Sequence, residues 1–193
     1  MKSICVFCGS SIGADKIFAS TAKKVGKLFL KEGIEFVYGG GNVGLMGVLA
    51  GTIMDGGGKA TGIMPEFLMR REHADLKISE LIIVSSMHER KAKMSELSDA
   101  FWVMPGGLGT MEEFFEVWTW SQLSLHKKPI GVLNIDGYYN GLLKFLNRAV
   151  KKGFIKKPDR NIILVDDNPK RLLKQMQAHY IENRKGKQIE EKT

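Results

Sequence analysis

The sequence predicts an α/β protein in three layers, a mostly parallel sheet between two layers of helices, and two observations predict it. Short apolar runs rich in β-branched residues alternate with longer segments of helical period. Most of these runs are continuous and end in glycine turns, as strands covered on both faces do.

In order along the chain, Ile4 to Cys8 reads as the first strand. The segment after it places Phe18, Ala22, Val25 and Phe29 at steps of three and four, which puts them on one face of a helix, and Gly33 closes that helix. Ile34 to Tyr38, Ala60 to Met64, Leu81 to Val84, Ala100 to Met104, Ile130 to Leu133 and Ile162 to Val165 follow as strands. Most are separated by helix-length segments. No linker or internal repeat interrupts the pattern, so residues 1–181 are expected to form a single domain, with a basic and polar tail over residues 182–193.

Composition narrows the functional classes. At 193 residues, 44% hydrophobic and 26% charged, the chain is that of a folded domain. No apolar run reaches the ~20 residues of a membrane span, and Met1-Lys2 leads directly into a strand without a leader-type cleavage site. The expected location is therefore the cytoplasm. Cys5 and Cys8 are the only cysteines, and in an extended segment they stand roughly 10 Å apart on opposite faces, too far for a disulfide. They read as small buried apolar residues. No metal is expected, since no other Cys or His pair has ligand spacing. The net charge of +8 invites a nucleic-acid reading. Its distribution argues against one: residues 1–143 carry 15 Lys plus Arg and 15 Asp plus Glu, and residues 144–193 carry 14 and 6. The excess sits in one C-terminal region with no aromatic stacking platform, so neither nucleic acid nor membrane is an expected partner.

In a parallel sheet of this kind, ligands bind outside the carboxyl ends of the strands. Three of the loops that follow strands are rich in small residues: Gly9-Ser10-Ser11, the run from Gly39 through Gly40 and Gly41 to Gly47, and Pro105 to Thr110. Glycine admits a close backbone approach, and the helix after each loop offers unpaired N–H groups and a positive dipole end, so a phosphate is the simplest occupant. Tight turns alone would also account for any one of the loops. Gly39, Gly41 and Gly44 fit G-x-G-x-x-G, with Glu66 near the place of an acidic ribose ligand, but the match follows the second strand and leaves the Pro105 loop unexplained. No Gly-Lys-Ser/Thr ends any of the loops, which excludes a Walker-type ATPase.

Between these loops, Ser86 to Met94 reads as a helix with Met87, Met94 and either Arg90 or Lys91 on one face. A cation on a core-directed face needs an anionic partner. For Lys91 and Lys93 that partner could be Glu89 or Glu96. Glu113 has two readings. Thr110-Met111-Glu112-Glu113 matches a capping box, and a carboxylate at that helix start could equally face a ribose and stabilise positive charge at its anomeric carbon.

The segments GGGNVGLMG, SMHERKAKMSELSDAF and PGGLGTMEE, with VFCGSS and TWSQLSLHKKPIGVLNIDGYY, resemble the LOG family of cytokinin riboside 5′-monophosphate phosphoribohydrolases. Bacterial members of that family often carry a "lysine decarboxylase" label. The likeness spans most of residues 2–155. It implies a Rossmann-like homodimer that hydrolyses a nucleoside 5′-monophosphate to free base and ribose 5-phosphate, without a cofactor. Carried onto this chain, the catalytic pair is Arg90 and Glu113, and the substrate contacts are Glu72, Arg90, Lys91, Gly107, Leu108, Gly109, Thr110, Met111, Glu112, Glu113 and Thr119. The neighbouring Ser10, Gly40, Gly41, Met87 and Gly106 complete the expected binding set. One departure is visible: the family's Glu-Val-x-His stretch reads Glu72-His73-Ala74-Asp75. Decarboxylation has little support, because pyridoxal phosphate chemistry needs a Schiff-base lysine and a partner for the ring nitrogen. A nucleotide or nucleotide-cofactor carrier of the same fold is the alternative.

Overall fold

The computed structural model describes residues 1–69 and 73–190. Seven strands form one sheet: β1 (Ser3–Phe7), β2 (Glu35–Tyr38), β3 (Ala60–Pro65), β4 (Glu80–Val84), β5 (Ala100–Val103), β6 (Ile130–Leu133) and β7 (Ile163–Asp166). Each lies where the apolar runs place it, to within a residue or two. Every pairing is parallel, in the order β4-β3-β2-β1-β5-β6-β7.

The helices are α1 (Lys16–Glu32), α2 (Gly44–Asp55), α3 (Met87–Glu96), α4 (Leu108–Gln122), α5 (Asn140–Lys151), the short α6 (Lys157–Asn161) and α7 (Pro169–Glu190). Helix α7 continues unbroken through residue 182. Strand alternation distributes the helices over two faces. Ile4, Val6, Phe36, Tyr38 and Trp102 pack with residues of α1, α2 and α7, while Cys5, Phe7, Val37, Phe101 and Val103 pack with residues of α3, α4 and α5. Cys5 and Cys8 fall in these two separate cores, both free and buried. Gly33 ends α1 in the left-handed conformation at φ 63°, its N–H bonded to Leu30 O at 3.2 Å, as the sequence predicts.

The chain builds outward from β1 to β4, then returns to lay β5 on the other side of β1. The strand order reverses between β1 and β5, and there the two connecting loops diverge to opposite faces and leave a crevice at the carboxyl edge.

The opposite, amino edge is latched by Asp99. Its carboxylate accepts from Lys2 N at 2.5 Å, Ser3 N at 3.4 Å and the Tyr180 hydroxyl at 3.1 Å, tying β1, the start of β5 and α7 together. Burial favours the neutral acid, but these donors outweigh it and hold the carboxyl below its ordinary value. A depressed native pKa contributes stability above the unfolded-state value and loses it as pH falls through the native one. Asp99→Asn is therefore expected to cost on the order of 1 kcal/mol at pH 7. In urea unfolding followed over pH, the gap from the wild type should narrow below about pH 4.

Candidate functional site

The crevice between β1 and β5 is built by close backbone contact. Gly9 N donates to Pro105 O at 3.0 Å, and Leu45 N, at the start of α2, donates to Gly9 O at 2.9 Å. A Cβ on Gly106 would stand 2.8 Å from Gly9 N, so only glycine lets these loops meet. Beside them lies a cavity of about 200 Å³, lined by Ser10, by Gly107 to Thr110, by Glu112 and Glu113, and by Met87 and Arg90, with Cys8, Met46 and Leu68 completing the wall.

Arg90 reaches the cavity from α3. That helix begins at Ser86, whose hydroxyl accepts from Glu89 N at 3.2 Å, while the Glu89 carboxylate accepts from Ser85 N at 2.8 Å and from the Ser85 hydroxyl at 2.7 Å. The start of α3 thus projects Arg90 against the sheet, where it is only 4% exposed. Its Nε donates to Ile63 O at 3.1 Å and its Nη2 to Gly39 O at 2.9 Å, so the guanidinium spans the carboxyl ends of β3 and β2.

Glu113 reaches the cavity from α4, and here the structure overturns one of its two sequence readings. Helix α4 starts at Leu108 with Gly107 as N-cap, and no side chain caps it. Thr110 is the third helical residue, and Glu113 stands in the second turn. The Thr-x-x-Glu pattern is therefore not a capping box; the side-chain cap is realised at Ser86 instead. Glu113's charge is felt at the end of β1. Burial first, then the negative Glu113, raises the Cys8 thiol, and the same two causes raise Cys5, on which Arg90 acts in the opposite sense.

Lys91 points away from the strand ends. Its Nζ is bonded to Glu112 at 2.6 Å and to Glu116 at 2.9 Å, in place of the expected Glu89 or Glu96. Burial opposes the charge, but the two carboxylates outweigh burial and hold the ammonium above its ordinary value. This clamp joins α3 to α4. Lys93 does pair with Glu96, at 3.1 Å.

The structure thus brings together nine expected site residues: Ser10, Met87, Arg90, Gly107, Leu108, Gly109, Thr110, Glu112 and Glu113. Gly106 lines an adjoining cavity. Lys91 and Met111 are not among the lining residues. Thr119 is exposed, its hydroxyl donating to Phe115 O at 2.7 Å, about 13 Å along α4 from Thr110. Gly40 and Gly41 lie under the 73–75 segment: Asp75 N donates to Gly40 O at 2.9 Å, and Ala74 bridges Gly41. Asp75, where the family has His, is buried and accepts from the Tyr38 hydroxyl at 3.5 Å. Glu72 lies outside the described residues. Cys8, Met46 and Leu68 were not anticipated at the site. The first two adjoin the glycine loops, which could have flagged them; nothing in the sequence singles out Leu68. None of the lining residues comes from the basic region 144–193.

A family model described as "Possible lysine decarboxylase" matches residues 46–176. The probable cytokinin riboside 5′-monophosphate phosphoribohydrolase LOGL2 of Oryza sativa subsp. japonica is 46% identical over 178 residues, 92% of this chain and 73% of that protein. The chain belongs to the LOG family. A second LOG protein, the cytokinin riboside 5′-monophosphate phosphoribohydrolase LOG3 of Arabidopsis thaliana, is also 46% identical over 92% of this chain and 83% of its own length. Solved structures share the fold: the Moco carrier protein of Chlamydomonas reinhardtii has a TM-score of 0.68 at 17% identity, covering 92% of this chain and 98% of that one. The molybdenum cofactor binding protein of Rippkaea orientalis has a TM-score of 0.66 at 22% identity, covering 92% and 97%.

The position of Arg90 in this LOG chain depends on Gly39, because a Cβ there would collide with the guanidinium. Gly39→Ala is expected to destabilise the protein by about 1–3 kcal/mol, the usual cost of overpacking. Chemical denaturation measures it, and Gly51→Ala, where a Cβ meets open space, is the control.

Proposed function

We propose that the chain is a phosphoribohydrolase that cleaves the N-glycosidic bond of an adenine-type or cytokinin-type nucleoside 5′-monophosphate. The observation that carries this reading is a buried arginine and a carboxylate lining one small cavity whose floor is the start of α4, in a chain 46% identical to LOG enzymes over 92% of its length.

In this reading the 5′-phosphate rests on the first-turn amides of α4, Leu108 to Thr110, and on the Thr110 hydroxyl, where a helix N-terminus favours an anion. The ribose then faces Glu113. As the bond from C1′ to the base nitrogen breaks, the electron pair leaves with the base, and C1′ develops oxocarbenium character that the carboxylate stabilises. A water adds its oxygen to C1′, and one of its protons ends on the base. Arg90 orients the substrate and offsets charge on the departing base; it is not the proton donor, because guanidinium stays protonated. Lys91, committed to Glu112 and Glu116, serves by fixing α4 against α3.

Among the described residues no lysine lines the cavity, which gives a Schiff-base decarboxylase no support there. Among the described residues, no helix is long and apolar enough to cross a membrane; we place the protein in the cytoplasm. We also propose a homodimer through α4, where Phe114, Val117 and Trp118 fill the core while Phe115 and Trp120 stay half-buried and Leu123 is 62% exposed.

Incubation with AMP and with N6-isopentenyladenosine 5′-monophosphate should release free base and ribose 5-phosphate, read by chromatography. Glu113→Gln keeps the size of the side chain and should lower kcat by about 100-fold or more. Arg90→Lys, which loses the planar fork, should lower kcat/KM by at least about tenfold. Nucleotide binding without release of base would favour a carrier.

A further inference from the structure

A second cavity, of about 250 Å³, adjoins the first on the other side of the β1 and β5 loops. Ser10 and Gly107 line both cavities, so the two meet where the crevice crosses the sheet edge. Their chemistry differs. The first contains Arg90, Glu112 and Glu113, whereas among the described residues no charged side chain lines the second. Its wall is the edge-to-face pair Phe18 and Tyr138, with ring centroids 5.9 Å apart, and its rim carries Ile12, 54% exposed. Gly13 lies at φ 76°, and a Cβ there would stand 2.7 Å from the Phe18 ring, so this turn is shaped around the aromatic wall. Tyr138 donates its hydroxyl to Gly106 O at 2.8 Å, which joins the same wall to the loop leading into α4.

The lining defines the occupant. A terminal phosphate would meet no cation there among the described residues, while it displaces water from an aromatic surface. A neutral sugar or nucleoside would instead find the Ser10 and Ser11 hydroxyls and an aromatic surface. With the first phosphate over the start of α4, at the junction of the cavities, any group attached beyond that phosphate is directed into the second cavity. Doubly wound sheets hold dinucleotides across this point of strand-order reversal.

We propose that the second cavity is a subsite for the distal sugar of a pyrophosphate-linked nucleotide of the ADP-ribose class, the proximal nucleotide occupying the first cavity; this rests on the phosphate placement proposed above. Such a compound competes with the nucleoside monophosphate, and its extra affinity comes from the uncharged side of the crevice.

Calorimetric titrations of full-length Glu113→Gln protein, chosen to suppress turnover, with AMP, ADP and ADP-ribose test this. ADP-ribose should bind at least about fivefold more tightly than ADP, whose terminal phosphate suits the second cavity poorly. Adding Ile12→Trp, which fills the rim without removing core packing, should abolish that preference and leave AMP affinity within about twofold. Phe18→Ala, which removes half of the aromatic wall, should do the same. ADP-ribose binding no tighter than ADP, or a preference that survives both substitutions, would overturn the subsite while AMP binding left the phosphate placement standing. Failure of AMP itself to bind would overturn both.

Discussion

The buried guanidinium of Arg90 is the constraint around which the site is organised. It is a permanent cation at 4% exposure, and such a charge is tolerated in a protein interior only when its donors are satisfied and its field is opposed. Parallel strands supply the first condition, because their carboxyl ends present carbonyl oxygens with no further partner along the sheet. Gly39 O and Ile63 O, from neighbouring strands, take Nη2 and Nε. The need for that approach explains the glycine that ends β2, and the cap at Ser86 explains why α3 begins where it does. Glu113 is the carboxylate nearest to meeting the second condition: it lines the same cavity as Arg90, and the two charges act on Cys5 of β1 in opposite senses.

Lys91 contributes by a different route. Adjacent in sequence to Arg90 but turned outward from the strand ends, it holds two carboxylates of α4, one turn apart, from a position 11% exposed. An ion-pair clamp therefore ties the helix that carries the cation to the helix that carries Glu113. Two groups that face one ligand cavity from two helices need some such tie to keep their spacing, since a displacement of about 1 Å between groups acting on one ligand is enough to matter.

All seven strands were legible as apolar runs, the central ones because burial on both faces leaves little polar interruption, and the edge strands β4 and β7 by composition although they are only partly buried. Their parallel arrangement followed from the helix-length segments between most of them. The order was not legible: which side of β1 receives β5 is decided by packing of the whole chain, and that choice creates the crevice. At the site, the glycine loops and the Arg90 and Glu113 positions could be read because the segments carrying them are distinctive. Of the two readings open for Glu113 the capping box fails, since Thr-x-x-Glu satisfies a local rule while Gly107 sets the true boundary. The partners of Lys91 were misread for a related reason. Local spacing offered Glu89 and Glu96, but the carboxylates that bind it lie 21 and 25 residues away, on another helix.

Cys8 shows what the same electrostatics imply for the protein's chemical durability. A thiol at the wall of a ligand cavity is ordinarily exposed to oxidants and electrophiles through its thiolate. Here burial, reinforced by the negative Glu113, keeps the sulfur protonated. The carboxylate that faces the cavity thus adds to burial in raising the thiol of the nearest cysteine, which disfavours the thiolate through which peroxide and alkylating agents react.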